Sequence, residues 1–263
     1  MLSTTASQQH HFNSPSDVSQ QYDDQPLHTE MANRIGKALL KAYTFDDEQT
    51  TVLDFACGTG LNSRVLAPYA KTIIGIDISQ EMVDRYNTRV TNQGIEPEEM
   101  RAICVPENLL DNPEESCSRL QSLLGGIEFD VAICCMSYHH FPSISSATQI
   151  LSSLLKPGGY LYVADVESIP AQPSTHESDT NAHHSAPNRE PIFPQGACEA
   201  GIVVHKYGFS KLEMLHVFVE AGLAELDEKT GQANRFGYDI VTRAFKNGKA
   251  VNIFLASGIK LLE

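Results

Sequence analysis

The chain has 263 residues, 41% of them apolar, and a formal net charge of −14. That length supports one α/β domain with a real core, or two small ones at most, and so acidic a chain has no electrostatic footprint for a phosphate backbone, which excludes nucleic acid as an expected partner. No apolar run approaches the roughly 20 residues of a membrane span, and MLSTTASQQHHFNSPSDVSQQ has the features of neither a secretory signal nor a mitochondrial presequence, so a cytoplasmic location is expected.

Residues 1–21, rich in Ser, Gln and His, are expected to be a disordered polar terminus. A single folded domain is expected over 22–263. It opens with an amphipathic cover helix within 22–43, where Leu27, Met31, Ile35, Ala38 and Leu39 recur at helical spacing. Strands and helices then alternate. Strands are predicted at Val52–Ala56, Thr72–Ile76, Arg101–Val105, Phe129–Cys135 and Tyr160–Asp165. Helices are predicted at Asn62–Tyr69, Gln80–Asn92, Glu114–Leu124 and Ile144–Leu155. This rhythm implies a Rossmann-like doubly wound sheet of about seven strands, mostly parallel, because each parallel crossover needs a helix.

The rhythm breaks at 170–196, where five prolines and polar residues predict an insertion or lid. SKLEMLHVFVEAG resumes as a helix. A strand-like stretch starts at Leu223–Lys229 and runs toward Val241, and another spans Val251–Ala256. The Asn-Gly of KNGK between them predicts a terminal antiparallel hairpin. The six cysteines form no CxxC pair and read as free thiols. Cys134 and Cys135 lie mid-strand and must face opposite ways.

The chemistry starts in LDFACGTG. Gly58 and Gly60 follow a buried strand and open a helix, a turn that lets backbone approach a nucleotide. Asp77, 19 residues after Gly58, ends the next strand, where a carboxylate accepts ribose hydroxyls. The third position of a dinucleotide fingerprint is Ser63, and these features alone leave NAD and an adenosyl ligand both open. Asp54, four residues before Gly58, is placed to meet an ammonium group or to brace the loop.

Three further stretches decide the reading: FDVAICCMSYHHFP, LLKPGGYLYVADV and the terminal hairpin. With the glycine turn they resemble the class I S-adenosylmethionine-dependent methyltransferases, over roughly Tyr22 to Ser257. YDDQPLHTEMANRIGKAL and VVHKYGFSKLEMLHVFVEAGL look like segments of the small-molecule branch that includes ubiquinone and menaquinone biosynthesis enzymes. The resemblance implies S-adenosylmethionine as methyl donor and a small-molecule acceptor. It implies that Asp54, Ala56, Gly58 and Gly60 cradle the methionine part, that Asp77 binds ribose and that Ile78 and Met82 flank adenine. Tyr22 and Met136 join the expected cofactor contacts. The chain departs from the family at Ala56, usually glycine, and at Val105-Pro106, where relatives carry Asp-Ala and proline offers no N–H. Glu107 and Asn108 persist and stay among the expected cofactor contacts, with the altered adenine recognition resting on Glu107.

Candidate catalytic residues are His139 and His140 after the fourth strand and His205 beyond the insertion, with Tyr138, Asp165, Glu167 and Tyr207 nearby. A base is useful where the acceptor is a phenol, an amine or an acidic carbon. Asp165, Glu167 and His205 match no standard metal spacing, and no metal is expected. A protein or peptide methyltransferase and a catalytically silent adenosyl-binding protein are the alternatives.

Overall fold

A computed structural model describes residues 23, 25–168, 191–227, 229–246 and 249–262. The polar terminus 1–21, Tyr22 and residues 170–190 of the expected insertion lie outside the described residues. The chain opens with α1 (Pro26–Ala42), followed by β1 (Thr51–Phe55), α2 (Leu61–Leu66), β2 (Thr72–Asp77), α3 (Gln80–Asn92) and β3 (Met100–Cys104). Then come α4 (Pro113–Leu123), β4 (Phe129–Cys135), α5 (Ile144–Ser153), β5 (Leu155–Val166), α6 (Gln195–Glu199) and α7 (Lys211–Glu220). Four strands close the chain: β6 (Glu225–Leu226), β7 (Ala233–Asn234), β8 (Phe236–Lys246) and β9 (Lys249–Ile259).

The main sheet has the order β3-β2-β1-β4-β5-β9-β8. Strands β1 to β5 are parallel, and β9 is antiparallel to both β5 and β8. The expected doubly wound sheet with an antiparallel hairpin is therefore present. Its strand order reverses between β1 and β4, and ligands of such sheets bind at the strand C-termini beside that point. Alternate residues of each strand enter opposite cores. Leu53, Ile74 and Cys134 pack with α4, α5 and α7; Val52, Ile73 and Cys135 pack with α1, α2 and α3. Burial on both faces explains why these strands read as unbroken apolar runs.

Helix starts are marked by side chains. Ser79, Asn112, Ser143 and Ser210 each accept a backbone N–H at the head of α3, α4, α5 and α7. In α1, Gly36 lies so near α2 that a Cβ there would stand 2.5 Å from Val65.

Most boundaries move by one or two residues from the sequence reading, and three differences are larger. β5 begins at Leu155, not Tyr160, because Leu155 pairs with Phe129 and the Gly158 N–H bonds the Lys260 carbonyl. β9 extends beyond Val251–Ala256 at both ends. The stretch after Leu223 does not run into the main sheet as one strand. It forms a separate β6–β7 hairpin, whose turn Asp227 holds by accepting the N–H groups of Lys229 and Thr230.

Candidate active site

The ends of β1, β2 and β4 surround a cavity of about 360 Å³, within the range of small-ligand sites. The glycine turn forms one wall. Gly58 has φ +52°, and a Cβ there would meet nothing within 4 Å, so it would stand in open space. Gly60 has φ +82°, and a Cβ would strike the Tyr86 ring at 2.6 Å. Ala56 and Met136, both on the cavity wall, also adopt the left-handed region, at φ +57° and +59°. An alanine there costs on the order of 1–2 kcal/mol, and strain of this kind clusters at ligand sites.

Asp77 ties this wall together. Its carboxylate accepts the Gly58 N–H at 2.8 Å and the Ser79 N–H at 2.9 Å while lining the cavity. Burial pushes its pKa up, against the pull of those hydrogen bonds. Asp54 lies behind the turn, not on the cavity wall. It is 2% exposed and accepts the Ser63 hydroxyl at 2.6 Å. Burial raises its carboxyl to about 7, with Asp77 adding to the rise and the Ser63 bonds opposing it. Asp54 thus braces the turn. Asn62, next to Gly60 on the wall, has a buried Oδ1 with no hydrogen-bond partner among the described residues.

Ile78, Met82, Val105, Leu109 and Glu107 form the wall beyond β2 and β3. The Val105 N–H is used by the Asp77 carbonyl at 2.8 Å. Asn108 faces a shallow outer groove and not the cavity. Across the opening, Leu27, His28, Met31 and Ile35 of α1 form a cover. Ahead of that helix, Asp23 accepts hydrogen bonds from Thr59 of the glycine turn and from Arg85 and Arg89 of α3.

The loop after β4 carries the polar chemistry. His139 and His140 both line the cavity. The His139 ring Nδ1 lies 2.9 and 3.0 Å from the two oxygens of Asp165, and its backbone N–H donates to the same carboxylate at 3.1 Å. Asp165 is fully buried. Burial pushes its pKa up, but the His139 imidazole and the N–H groups of Val166 and His139 outweigh this and hold it below the ordinary value. An ionised carboxylate only accepts, so Nδ1 carries the proton, and in the neutral ring Nε2 holds the lone pair. The His140 Nδ1 likewise donates to the Ile202 carbonyl at 2.6 Å.

The other candidates fall elsewhere. His205 does not line the cavity, contrary to the sequence expectation. Its Nε2 donates to the Phe141 carbonyl at 3.1 Å and its ring packs on Phe209. Burial pushes its pKa down. The Tyr138 ring points into the core and bonds Thr148 at 3.0 Å. Glu167 is held by Asn252 and Tyr238. What sequence reasoning missed is the wall built from Phe193, Ala197, Ile202 and Val203. Ile192 and Phe193, inside the expected insertion, are buried.

A family model described as a methyltransferase domain matches residues 27–231. The chain belongs to this family. It is an S-adenosylmethionine-dependent methyltransferase. An uncharacterized methyltransferase of Schizosaccharomyces pombe is 37% identical over 217 residues, 81% of this chain and 68% of that protein. A ubiquinone biosynthesis O-methyltransferase of Leptothrix cholodnii is 25% identical over 119 residues, so the match spans 45% of either protein. Among solved methyltransferase structures, geranyl diphosphate C-methyltransferase from Streptomyces coelicolor A3(2), with bound S-adenosyl-L-homocysteine, superposes with a TM-score of 0.63 at 12% identity over 98% of each chain. That likeness concerns the fold. Among the described residues of this methyltransferase, no helix is long and apolar enough to cross a membrane.

Proposed function

We propose that this methyltransferase acts on a hydroxyl group of a small, largely apolar acceptor, with His139 as the base that takes the hydroxyl proton. The observation that carries this reading is His139 on the cavity wall with its ring held from behind by the buried Asp165. A carboxylate acceptor is already ionised at neutral pH and needs no base, whereas a phenolic hydroxyl gains from one. The apolar residues around the pair suit a flat or aliphatic body.

The residues present suit the cofactor. Asp77 keeps lone pairs for ribose hydroxyls beyond the two backbone bonds it accepts. Gly58 leaves room for close approach. The buried Asn62 Oδ1 awaits a donor, as an ammonium group would supply. Ile78, Met82 and Val105 offer apolar walls for adenine, and Glu107 can accept from its amino group. Bound there, S-adenosylmethionine supplies the methyl group, and the electron pair of the broken sulfur–methyl bond stays on sulfur. His139 Nε2 takes the proton of the acceptor O–H as the oxygen forms its bond to carbon. Asp165 holds the imidazole in the tautomer that can do this and balances the charge that results.

The test is incubation with S-adenosylmethionine labelled in the methyl group, against a metabolite extract and a panel of simple phenols. The expected product is a small O-methylated compound, lost in His139→Gln with S-adenosylhomocysteine affinity unchanged. Label found only on polypeptide, or full turnover by His139→Gln, overturns the reading.

A further inference from the structure

We propose that Phe193 is a positioning residue for methyl transfer: its ring stacks on the His139 imidazole and fixes the plane in which Nε2 meets the acceptor. This rests on the reading of His139 as the base. The two ring centroids are 4.3 Å apart with 27° between the planes, and Phe193 is buried on the cavity wall. Asp165 fixes the direction of Nδ1, but a hydrogen bond along that direction leaves the ring able to rock about it. A stacked aromatic face removes that freedom, and such contacts are individually modest yet strongly geometric.

The chain around Phe193 is built onto the same loop. The Val204 and His205 N–H groups both donate to the His139 carbonyl, at 2.9 and 3.1 Å. His140 Nδ1 donates to the Ile202 carbonyl, and the Ile192 N–H bonds the Lys206 carbonyl at 2.9 Å. Residues 202–205 are thus held to His139 and His140, and Ile192 to Lys206, by hydrogen bonds that do not involve the Phe193 side chain. Removing the ring therefore leaves these bonds in place and isolates the effect of stacking. The cofactor side is formed by β1, β2 and the glycine turn, so cofactor affinity is not expected to change.

The test compares Phe193→Leu, which keeps apolar bulk without a flat face, with Phe193→Tyr, which keeps the face. Histidine labelled with ¹⁵N is observed by NMR in the S-adenosylhomocysteine complex, and kcat and KM are measured with a phenol from the panel. Phe193→Leu is expected to lose roughly tenfold or more in kcat, as a misplaced catalytic group does. Its KM for S-adenosylmethionine should hold. The His139 nitrogen signals should broaden or shift, and Phe193→Tyr should restore both readouts. A Phe193→Leu protein that matches wild type in kcat and in the His139 signals overturns the proposal, because apolar filling then suffices. So does a Phe193→Tyr protein that is folded but as slow as the leucine variant. Failure of the base assignment is separate: it shows as turnover retained by His139→Gln, whatever Phe193 variants do.

Discussion

The ring of His139 and the carboxylate of Asp165 meet across the ends of neighbouring strands, β4 and β5, with Nδ1 within 3.0 Å of both carboxylate oxygens. The parallel register that pairs Cys135 with Ala164 brings them together although 26 residues separate them. Each Asp165 oxygen also accepts a backbone N–H, Oδ1 from Val166 and Oδ2 from His139. Asp165→Asn must therefore turn an amide NH₂ toward a backbone N–H. We expect a loss of about 1–3 kcal/mol in stability from the unsatisfied donors and a fall in kcat of roughly a hundredfold or more from the wrong tautomer. S-adenosylhomocysteine affinity, measured by calorimetry, should hold. An Asp165→Asn enzyme with wild-type kcat would show that the pair is structural only.

Asp77 joins the glycine turn to the cavity. Asp77→Ala removes both the acceptor for the Gly58 N–H and the proposed ribose contact. Hydrogen bonds to a charged acceptor are each worth about 1.5–3 kcal/mol, so S-adenosylhomocysteine should bind at least tenfold more weakly. Calorimetry on Asp77→Ala and Asp77→Asn checks this, with the asparagine variant intermediate. Wild-type affinity in the alanine variant would sink the ribose assignment.

Buried carboxylates set opposite pH trends. Asp54 has its pKa raised from 3.8 to about 7 in the folded protein. Between those values the folded state binds the extra proton, so the contribution of Asp54 to stability is fully present below about pH 4 and is lost as pH rises through 7. Asp77 is shifted in the same direction. Asp165 is shifted the other way. Its contribution is present above the ordinary carboxylate value and lost as pH falls through its lower folded pKa. For Asp54 the shift corresponds to as much as ~4 kcal/mol. Urea unfolding of wild type and Asp54→Asn from pH 5 to 8 should show the wild type losing stability with rising pH and the variant losing much less. Parallel curves would mean that Asp54 stays ionised throughout.

The half of the cavity built by the glycine turn was legible because it is local. Gly58, Gly60 and Asp77 are fixed by the strand, turn and helix that carry them, and a short sequence window contains all three. The alternation of apolar runs likewise announced the sheet. The acceptor half is made by convergence. Phe193, Ile202 and Val203 come from a stretch with no periodicity, and they are buried beside the loop after β4, to which the adjoining Val204 and His205 are tied by backbone hydrogen bonds and Ile202 by the His140 ring. His139 and His140 stood out together, but their different Nδ1 partners, Asp165 and the Ile202 carbonyl, cannot be read from adjacency. His205 misled because its closeness to the site in sequence says nothing of its ring, which the Phe141 carbonyl turns away. The apolar stripe of α1 was visible, yet the same stripe supplies core residues such as Leu39 and cavity residues such as Leu27.

Asp23 gives that cover a point of attachment which no periodicity could reveal. Its side chain is 5% exposed and accepts from Thr59, Arg85 and Arg89, and Arg89 also donates to the Thr59 carbonyl at 3.2 Å. Thr59 lies between Gly58 and Gly60, so the segment that leads into α1 is tied directly to the turn beside the proposed cofactor site. Any opening of the start of α1 must break this contact. The arginines are partly exposed, which discounts the ion pairs below the value of buried ones; about 1–2 kcal/mol is a fair sum with the hydroxyl bond included. Asp23→Ala should therefore release S-adenosylhomocysteine roughly tenfold faster in a stopped-flow chase, and the cofactor should no longer protect the first turn of α1 from proteolysis. Asp23→Glu, which keeps the charge, should recover part of the wild-type rate. If the alanine variant releases the cofactor at the wild-type rate, the start of α1 opens without passing through Asp23, and the contact serves only to anchor the chain.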